Sequence, residues 1–401
     1  MGLDRIEKAL RLCWLCGSCF GRGPTEPHNW RELNPDPSPN ERCPSYEYFK
    51  FRTYTAMDRN SLATLMYREN FPITDDLKQV IYSCTQCSVC SEICGLVDPV
   101  QINRAAREEI VEKSSLLPGH ERLRATHDKN GNPYGVQNQN RGRWAEGLGI
   151  KNLTKEKAEN LFFVGCSAAL RPGLRKMAIR TAHLFQRAGL DFGILGAEEK
   201  CCGYIPRMLG DARQFDKEMS RNVELLNSLG IKKLITGCPG CLLTFKSYPK
   251  GKLNFEVIHS LQVIEDLIRS EWFEPQPVSE CKVTYHDPCE LGRGCGIFDS
   301  PRNILKAVPG TELVEMDRHG HWSYCCGSGG CVEHILPEMV NFNAENRLRE
   351  AESTGADVLV TACPQCHMTF LKAARRKETG IRVEDISVFV AESLKRPNKK
   401  T

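Results

Sequence analysis

Lys233-Leu234-Ile235-Thr236-Gly237-Cys238-Pro239-Gly240-Cys241 returns later in the chain as Val358-Leu359-Val360-Thr361-Ala362-Cys363-Pro364-Gln365-Cys366. Each is a short apolar run ending in a Cys-x-x-Cys pair. Leu-Leu-Thr-Phe-Lys follows the first pair, and His-Met-Thr-Phe-Leu-Lys the second. Upstream of each pair stands a Cys-Cys-Gly, at 201–203 and 325–327. Further upstream, another apolar run ends in a single cysteine: Leu-Phe-Phe-Val-Gly-Cys at 161–166 and Val-Thr-Tyr-His-Asp-Pro-Cys at 283–289. The spacing is Cys-x34-CysCys-x35-CysxxCys in the first copy and Cys-x35-CysCys-x36-CysxxCys in the second. Self-similarity at this level means one structural unit used twice.

Helical periodicity fills the space between the apolar runs, at Arg175–Ala188, Arg213–Leu229 and Glu338–Thr354, each closed by a glycine. Strands alternating with helices of this length predict βαβ units and parallel sheets. The cysteines would then sit on loops at the carboxyl ends of strands. Upstream, Leu77–Ser83 and Val100–Lys113 read as helices around a separate cysteine run. Pro118, Gly119 and the polar stretches at 128–135 and 137–140 predict an irregular connection packed over a surface. The expected fold class is α/β, a helical cysteine-bearing region, whose cysteine spacing is read below as ferredoxin-like with two clusters, followed by two pseudo-twofold-related α/β lobes with small parallel sheets. The expected boundaries are 1–115, a linker at 116–155, a first lobe at 156–275 and a second at 276–396.

The chain has 401 residues, 41% apolar and 26% charged, with a net charge of +4. Those values suit a water-exposed globular protein long enough to bury a substantial core. No run approaches the roughly 18 apolar residues of a membrane helix, and the N-terminus lacks the apolar core of a signal peptide. A cytoplasmic protein without direct membrane insertion is expected. Basic runs are confined to Ala-Arg-Arg-Lys at 374–377 and the tail from Arg396, which argues against nucleic-acid binding.

The 21 cysteines need a different explanation. Eight lie in 13–94, none in 95–165 and thirteen in 166–366. An odd count in a long chain without a signal peptide argues against a disulfide framework, and spaced cysteines in such a chain are more often metal ligands. Cys84-x2-Cys87-x2-Cys90-x3-Cys94 has the spacing of bacterial ferredoxins, in which the fourth cysteine ligates the other cluster. Its counterpart is Cys13-x2-Cys16-x2-Cys19, with Cys43-Pro44 after an insertion. The expected cubane [4Fe-4S] ligand sets are therefore Cys13, Cys16, Cys19 and Cys94, and Cys84, Cys87, Cys90 and Cys43. Cys-x-x-Cys pairs also build zinc ribbons, so zinc stays open as the alternative metal. Neither a nicotinamide or flavin Gly-x-Gly-x-x-Gly fingerprint nor a phosphate-binding Gly-x4-Gly-Lys-Ser/Thr is present. Electrons must therefore come from another protein.

The doubled Cys-x34/35-CysCys-x35/36-CysxxCys pattern resembles the catalytic subunits of heterodisulfide reductases and their relatives. His286-Asp-Pro-Cys-Glu-Leu-Gly-Arg, Asp299-Ser-Pro-Arg and Cys325-Cys-Gly-Ser-Gly-Gly match as well. A two-cubane region followed by two such motifs resembles the D-type subunit. The resemblance implies a noncubane [4Fe-4S] cluster on Cys166, Cys201, Cys202, Cys238 and Cys241, and a second on Cys289, Cys325, Cys326, Cys363 and Cys366. It implies an oxidoreductase subunit in a multi-subunit redox complex, with other subunits, including a flavoprotein, as partners. The electron-transfer subunit of a class II benzoyl-CoA reductase is one such protein. Its alternatives are a reductase that splits a disulfide between the two noncubane clusters, and the iron–sulfur subunit of a glycolate or lactate oxidase. For the reductase, His286, His321 and His367 are candidate proton donors. Cys331, which stands where relatives carry glycine, and Cys281 and Cys295 are expected to be structural.

Overall fold

The computed structural model describes residues 2–16, 42–68, 71–249 and 251–395; Cys19 and the basic tail from Arg396 lie outside the described residues. The chain divides into two compact units. One comprises Met1–Leu123, Ile205–Ala212 and His321–Arg347, the other Arg124–Tyr204, Arg213–Gly320 and Leu348–Thr401.

The first unit contains no strand among its described residues. Short helices at Pro44–Phe49, Ala56–Arg68, Asp75–Tyr82, Val89–Ile93 and Pro99–Lys113 surround the ferredoxin-spaced cysteines. The two helices expected from sequence form with their starts one or two residues earlier, because capping side chains set them. Thr74 accepts from the Leu77 amide at 3.2 Å. Asp98 accepts from the Val100 amide at 2.9 Å, and Pro99 occupies the first helical position. Such a cap adds about 1 kcal/mol. Buried Arg59 ties these helices together through Val80 O at 2.8 Å, Ser45 Oγ at 2.6 Å and Ser83 Oγ at 2.7 Å.

The second unit is mixed α/β, with two small parallel sheets. Strands β1 (Lys151–Asn152), β2 (Asn160–Phe162), β3 (Phe192–Ile194), β4 (Lys233–Thr236) and β5 (Glu256–His259) form the first, in the order β1-β3-β2-β4-β5. After the short β6 (Glu274–Pro275) come β7 (Cys281–His286), β8 (Thr311–Leu313), β9 (Val358–Thr361) and β10 (Arg382–Asp385). They form the second sheet in the order β10-β9-β7-β8. All pairings in both sheets are parallel. When β2 to β5 are aligned with β7 to β10, the strand orders are identical, so the sequence repeat is a repeat of topology. Continuous apolar runs such as Val358–Thr361 are buried along their whole length, as parallel strands covered on both faces require. The helices Arg175–Arg187 and Ala212–Ser228 fall within a residue of expectation, as does Pro337–Ser353, whose residues up to Arg347 belong to the first unit.

The stretch 116–155 differs from its expected irregular course. It contains a helix at Pro118–Asn130 and a 3₁₀ segment at Asn138–Ala145. Pro118 is the first residue of that helix, where its missing N–H costs nothing. In the second unit, Trp144 from this stretch is buried against Phe162 at a centroid distance of 5.9 Å.

Both β5 and β10 end in a residue that caps the following helix, His259 and Asp385 respectively. Asp385 is buried and accepts from the Ser387 amide at 2.9 Å. Burial pushes its carboxyl up to about 7, against about 3.9 in an unfolded chain. A folded-state pKa above the unfolded one contributes stability that is complete below pH 4 and disappears as pH rises to 7. The integrated loss is about 4 kcal/mol. Asp385→Asn keeps a capping oxygen and removes the charge. The variant is expected to match the parent near pH 4.5 and to exceed it in denaturant midpoint at pH 8. Parallel pH profiles for the two proteins would refute the assignment.

Candidate metal centres

The first repeat brings its five cysteines together in the second unit. Cys166 lies in the opening turn of the helix Gly165–Leu170, just after β2. Cys238 follows β4 and caps the helix Pro239–Lys246, which carries Cys241 in its first turn. The thiols lie near enough to shift one another's pKa in turn, from Cys166 through Cys201, Cys202 and Cys241 to Cys238. Cys201, Cys202 and Cys241 are only 3%, 3% and 5% exposed. Hydrogen bonds from Cys201 and Cys241 hold the Cys202 thiol below its ordinary value, and one from Cys241 does the same for Cys238.

The backbone is shaped around these sulfurs. Gly203 and Gly327, which follow the two Cys-Cys pairs, have φ of +89° and +91°, a region other residues resist. At Gly327 an added Cβ would meet Asn343 Cβ at 2.7 Å. At Gly165 (φ +79°) it would lie 3.1 Å from Cys241 Sγ. Asn222 donates to Cys201 O at 2.7 Å, fixing the first Cys-Cys turn.

Three charged groups at this site carry no sequence motif. Arg141 Nη2 donates to Cys166 Sγ at 3.2 Å, and Nη1 donates to Glu199 Oε1 at 3.0 Å. Glu199 also accepts from the amides of Val164 and Gly165 at 3.0 and 2.9 Å. Burial pushes the Glu199 carboxyl up, while Arg141 and the two amides oppose it. Ligand atoms of buried His127, Cys201 and Glu218 also lie within 4.8 Å of one another.

In the second repeat, Cys289 follows β7, Cys363 caps the helix Pro364–Lys377, and Cys366 lies in its first turn. These three belong to the second unit; Cys325 and Cys326 belong to the first. Cys363 is close enough to Cys238 for the two charges to act on each other, and Glu290 acts on both. The Gly327 amide donates to Cys325 Sγ at 3.4 Å, and Cys326 Sγ pairs with Ser328 Oγ at 3.5 Å.

In the first unit, Cys43, Cys84, Cys87 and Cys90 line one cavity together with Arg42, Ser45, Arg59 and Asn103. The loop carrying them turns through left-handed residues Gln86 (φ +59°) and Ser88 (φ +62°). Asn60 donates to Cys13 Sγ at 3.4 Å. Cys16 is exposed, and Cys94 ends the helix Val89–Ile93.

Of the three histidines, His286 is buried with its ring 4.7 Å from Phe370. His321 is exposed and pairs with Glu92 at 2.9 Å. His367 is buried, which pushes it down to about 4, so it is neutral at pH 7. Cys331 has φ +62°, a conformation that suits the glycine expected at this position. Cys281 and Cys295 pack against the core of the second unit.

Convergent buried thiols, backbone shaped by glycine and a cation on a cysteine sulfur fit iron–sulfur clusters. The chain is an iron–sulfur oxidoreductase subunit. The Cysteine-rich domain family (CCG) matches residues 160–246 and 283–371, and the 4Fe-4S dicluster domain matches 8–96. The D-type subunit of the dihydromethanophenazine:CoB–CoM heterodisulfide reductase of Methanosarcina mazei is 31% identical over 396 residues, covering 96% of this chain and 94% of that one. Its counterpart in Methanosarcina barkeri is 34% identical over 332 residues, 80% of this chain and 79% of that one. An EtfAB:quinone oxidoreductase of Syntrophomonas wolfei is 30% identical over 75% of this chain and 45% of its own length. The present chain belongs to the family of D-type heterodisulfide reductase subunits. Among solved structures, a hypothetical protein from Helicobacter pylori shares the fold, with a TM-score of 0.53 at 11% identity, covering 87% of this chain and 70% of that one. No helix among the described residues is long and apolar enough to cross a membrane.

Proposed function

We propose that this chain is the electron-transfer subunit of a larger soluble redox complex of the benzoyl-CoA reductase type, exchanging electrons with a flavin-containing partner. In this reading a ferredoxin-like domain, 1–115, holds two cubanes, one on Cys13, Cys16, Cys19 and Cys94, the other on Cys43, Cys84, Cys87 and Cys90. A linker at 116–155 leads to pseudo-twofold lobes at 156–275 and 276–396. Cys166, Cys201, Cys202, Cys238 and Cys241 hold one noncubane cluster. By the sequence repeat, Cys289, Cys325, Cys326, Cys363 and Cys366 hold the other. When bound, such clusters take up and release single electrons at potentials tuned by charge, hydrogen bonds and exposure. The chain itself holds the thiolates in place, excludes water and positions polar groups on the sulfurs.

Burial carries the proposal. Cys201, Cys202 and Cys241 are 3–5% exposed, and thiols in a packed core of this kind suit electron transfer. A second reading, a disulfide reductase, is supported by the approach of Cys363 to Cys238 and by the names of the Methanosarcina relatives. The two separate in an anaerobic assay with reduced viologen and a panel of disulfides. A relay oxidises the dye only when its partner subunits are added. Fast reduction of one disulfide without partners, with a paramagnetic signal induced by one thiol product, would make the protein a reductase.

A further inference from the structure

Arg141 is buried to 1% exposure, and one of its N–H groups points at a cysteine sulfur. A guanidinium is expensive to bury, and one that is retained in a core has its donors matched to acceptors. Nη2 meets Cys166 Sγ at 3.2 Å, Nη1 meets Glu199 Oε1 at 3.0 Å, and Nε meets Asn138 Oδ1 at 3.1 Å. Asn138 is held in turn, donating to Ala197 O at 2.6 Å and Glu199 O at 3.0 Å. Glu199 receives three N–H donors on its two oxygens, the pattern of an anion. The cation therefore touches the sulfur directly, while its counter-anion stands one step further back. Both are fixed and shielded from water, so neither charge is screened as it would be at the surface.

We propose that Arg141 sets the reduction potential of the cluster held by the first repeat, with Glu199 as its positioning partner and an opposing charge. The proposal rests on the reading that Cys166 is a cluster ligand. One added electron makes a cluster more negative, so a hydrogen bond and a positive charge at a ligand sulfur favour the reduced form and raise the potential. The second repeat has Ser323 in the position of Glu199, two residues before its Cys-Cys pair, so the two repeats differ at this point. The Arg141 contact at Cys166 biases the first repeat's cluster toward its reduced form.

Anaerobically purified holoprotein carrying Arg141→Gln, Arg141→Lys or Glu199→Gln tests this, with iron counted and midpoint potentials read by electron paramagnetic resonance during a redox titration at pH 8. Arg141→Gln is expected to make one cluster's potential more negative and leave the others in place. Glu199→Gln is expected to move the same potential the other way, and Arg141→Lys to remain nearest the parent. Unchanged potentials at full iron content, or shifts of the same sign in the Gln variants, overturn the proposal. A merely structural ion pair would give that result. If Arg141→Gln fails to load iron, Glu199→Gln decides alone, and an unmoved potential there refutes the role. A parent protein without any signal sensitive to Cys166→Ala would instead refute the ligand assignment.

Discussion

Anaerobically purified protein is expected to carry about 16 irons and a similar number of labile sulfides per chain, four clusters of four. Cys202→Ala should remove about four of those irons, because one of five adjoining thiols is lost and Cys202 is among the most deeply buried of them. The cubane signals should persist, since Cys43, Cys84, Cys87 and Cys90 line a separate cavity in the first unit. Cys331→Gly is the matched control. It removes a buried thiol at a left-handed position where glycine is unstrained, and should leave all the iron in place. Loss of a cluster in that control would mean that the ligand set of the second repeat is wrongly drawn. Stoichiometric zinc with little iron in the parent would sink the whole assignment. Because the ligands are scattered along the chain, metal binding also contributes to folding, and oxygen-exposed protein should melt earlier.

The parts of this site that sequence reveals are those fixed by local rules. A short apolar run rich in β-branched residues and bounded by turn residues reads as a strand, and a cysteine pair right after it then sits at the strand's carboxyl end. The repeat doubles that information, which is why the two sheets share one strand order. Gly203 and Gly327 are legible for the same reason, since a residue with no Cβ beside two cysteines implies an unusual backbone. The charged groups are not legible. Arg141 and Glu199 are 58 positions apart, and Arg141 lies in Asn-Gln-Asn-Arg-Gly-Arg, which has no periodicity to mark it as buried. The stretch 116–155 was obscured by its own start signal, because proline marks a helix's first residue as readily as its end. Tertiary closure alone tells these cases apart.

Arg107→Met is expected to destabilise the first unit by about 4 kcal/mol or more, with early melting and rapid proteolysis. Arg107 is 0% exposed and bonds three distant parts of the chain within that unit. It donates to Met208 O at 2.7 Å, Gly330 O at 2.9 Å and Cys84 O at 2.6 Å, while Nε reaches Asn103 Oδ1 at 3.1 Å. Its guanidinium also lies 4.8 Å from the Tyr82 ring centre. Met fills a similar volume but offers no donor, so the carbonyls of Met208, Gly330 and Cys84 lose this partner, and so does the weaker acceptor Ile81 O at 3.4 Å. Each orphan costs roughly 1–3 kcal/mol, less whatever relaxation recovers. Water has little room to enter, since an added Cβ at Gly210 would already lie 2.4 Å from Arg107 C, and one at Gly330 2.6 Å from Cys84 O. Arg107→Lys keeps the charge and one or two donors, so it should fall between the parent and Arg107→Met. The effect should reach the metal as well, because Cys84 O is one of the acceptors and Cys84 shares a cavity with Cys43, Cys87 and Cys90. The cubane signal of that set should therefore broaden or disappear in Arg107→Met before the noncubane signals change. A variant that melts with the parent and keeps that signal would show that water, not Arg107, satisfies these carbonyls.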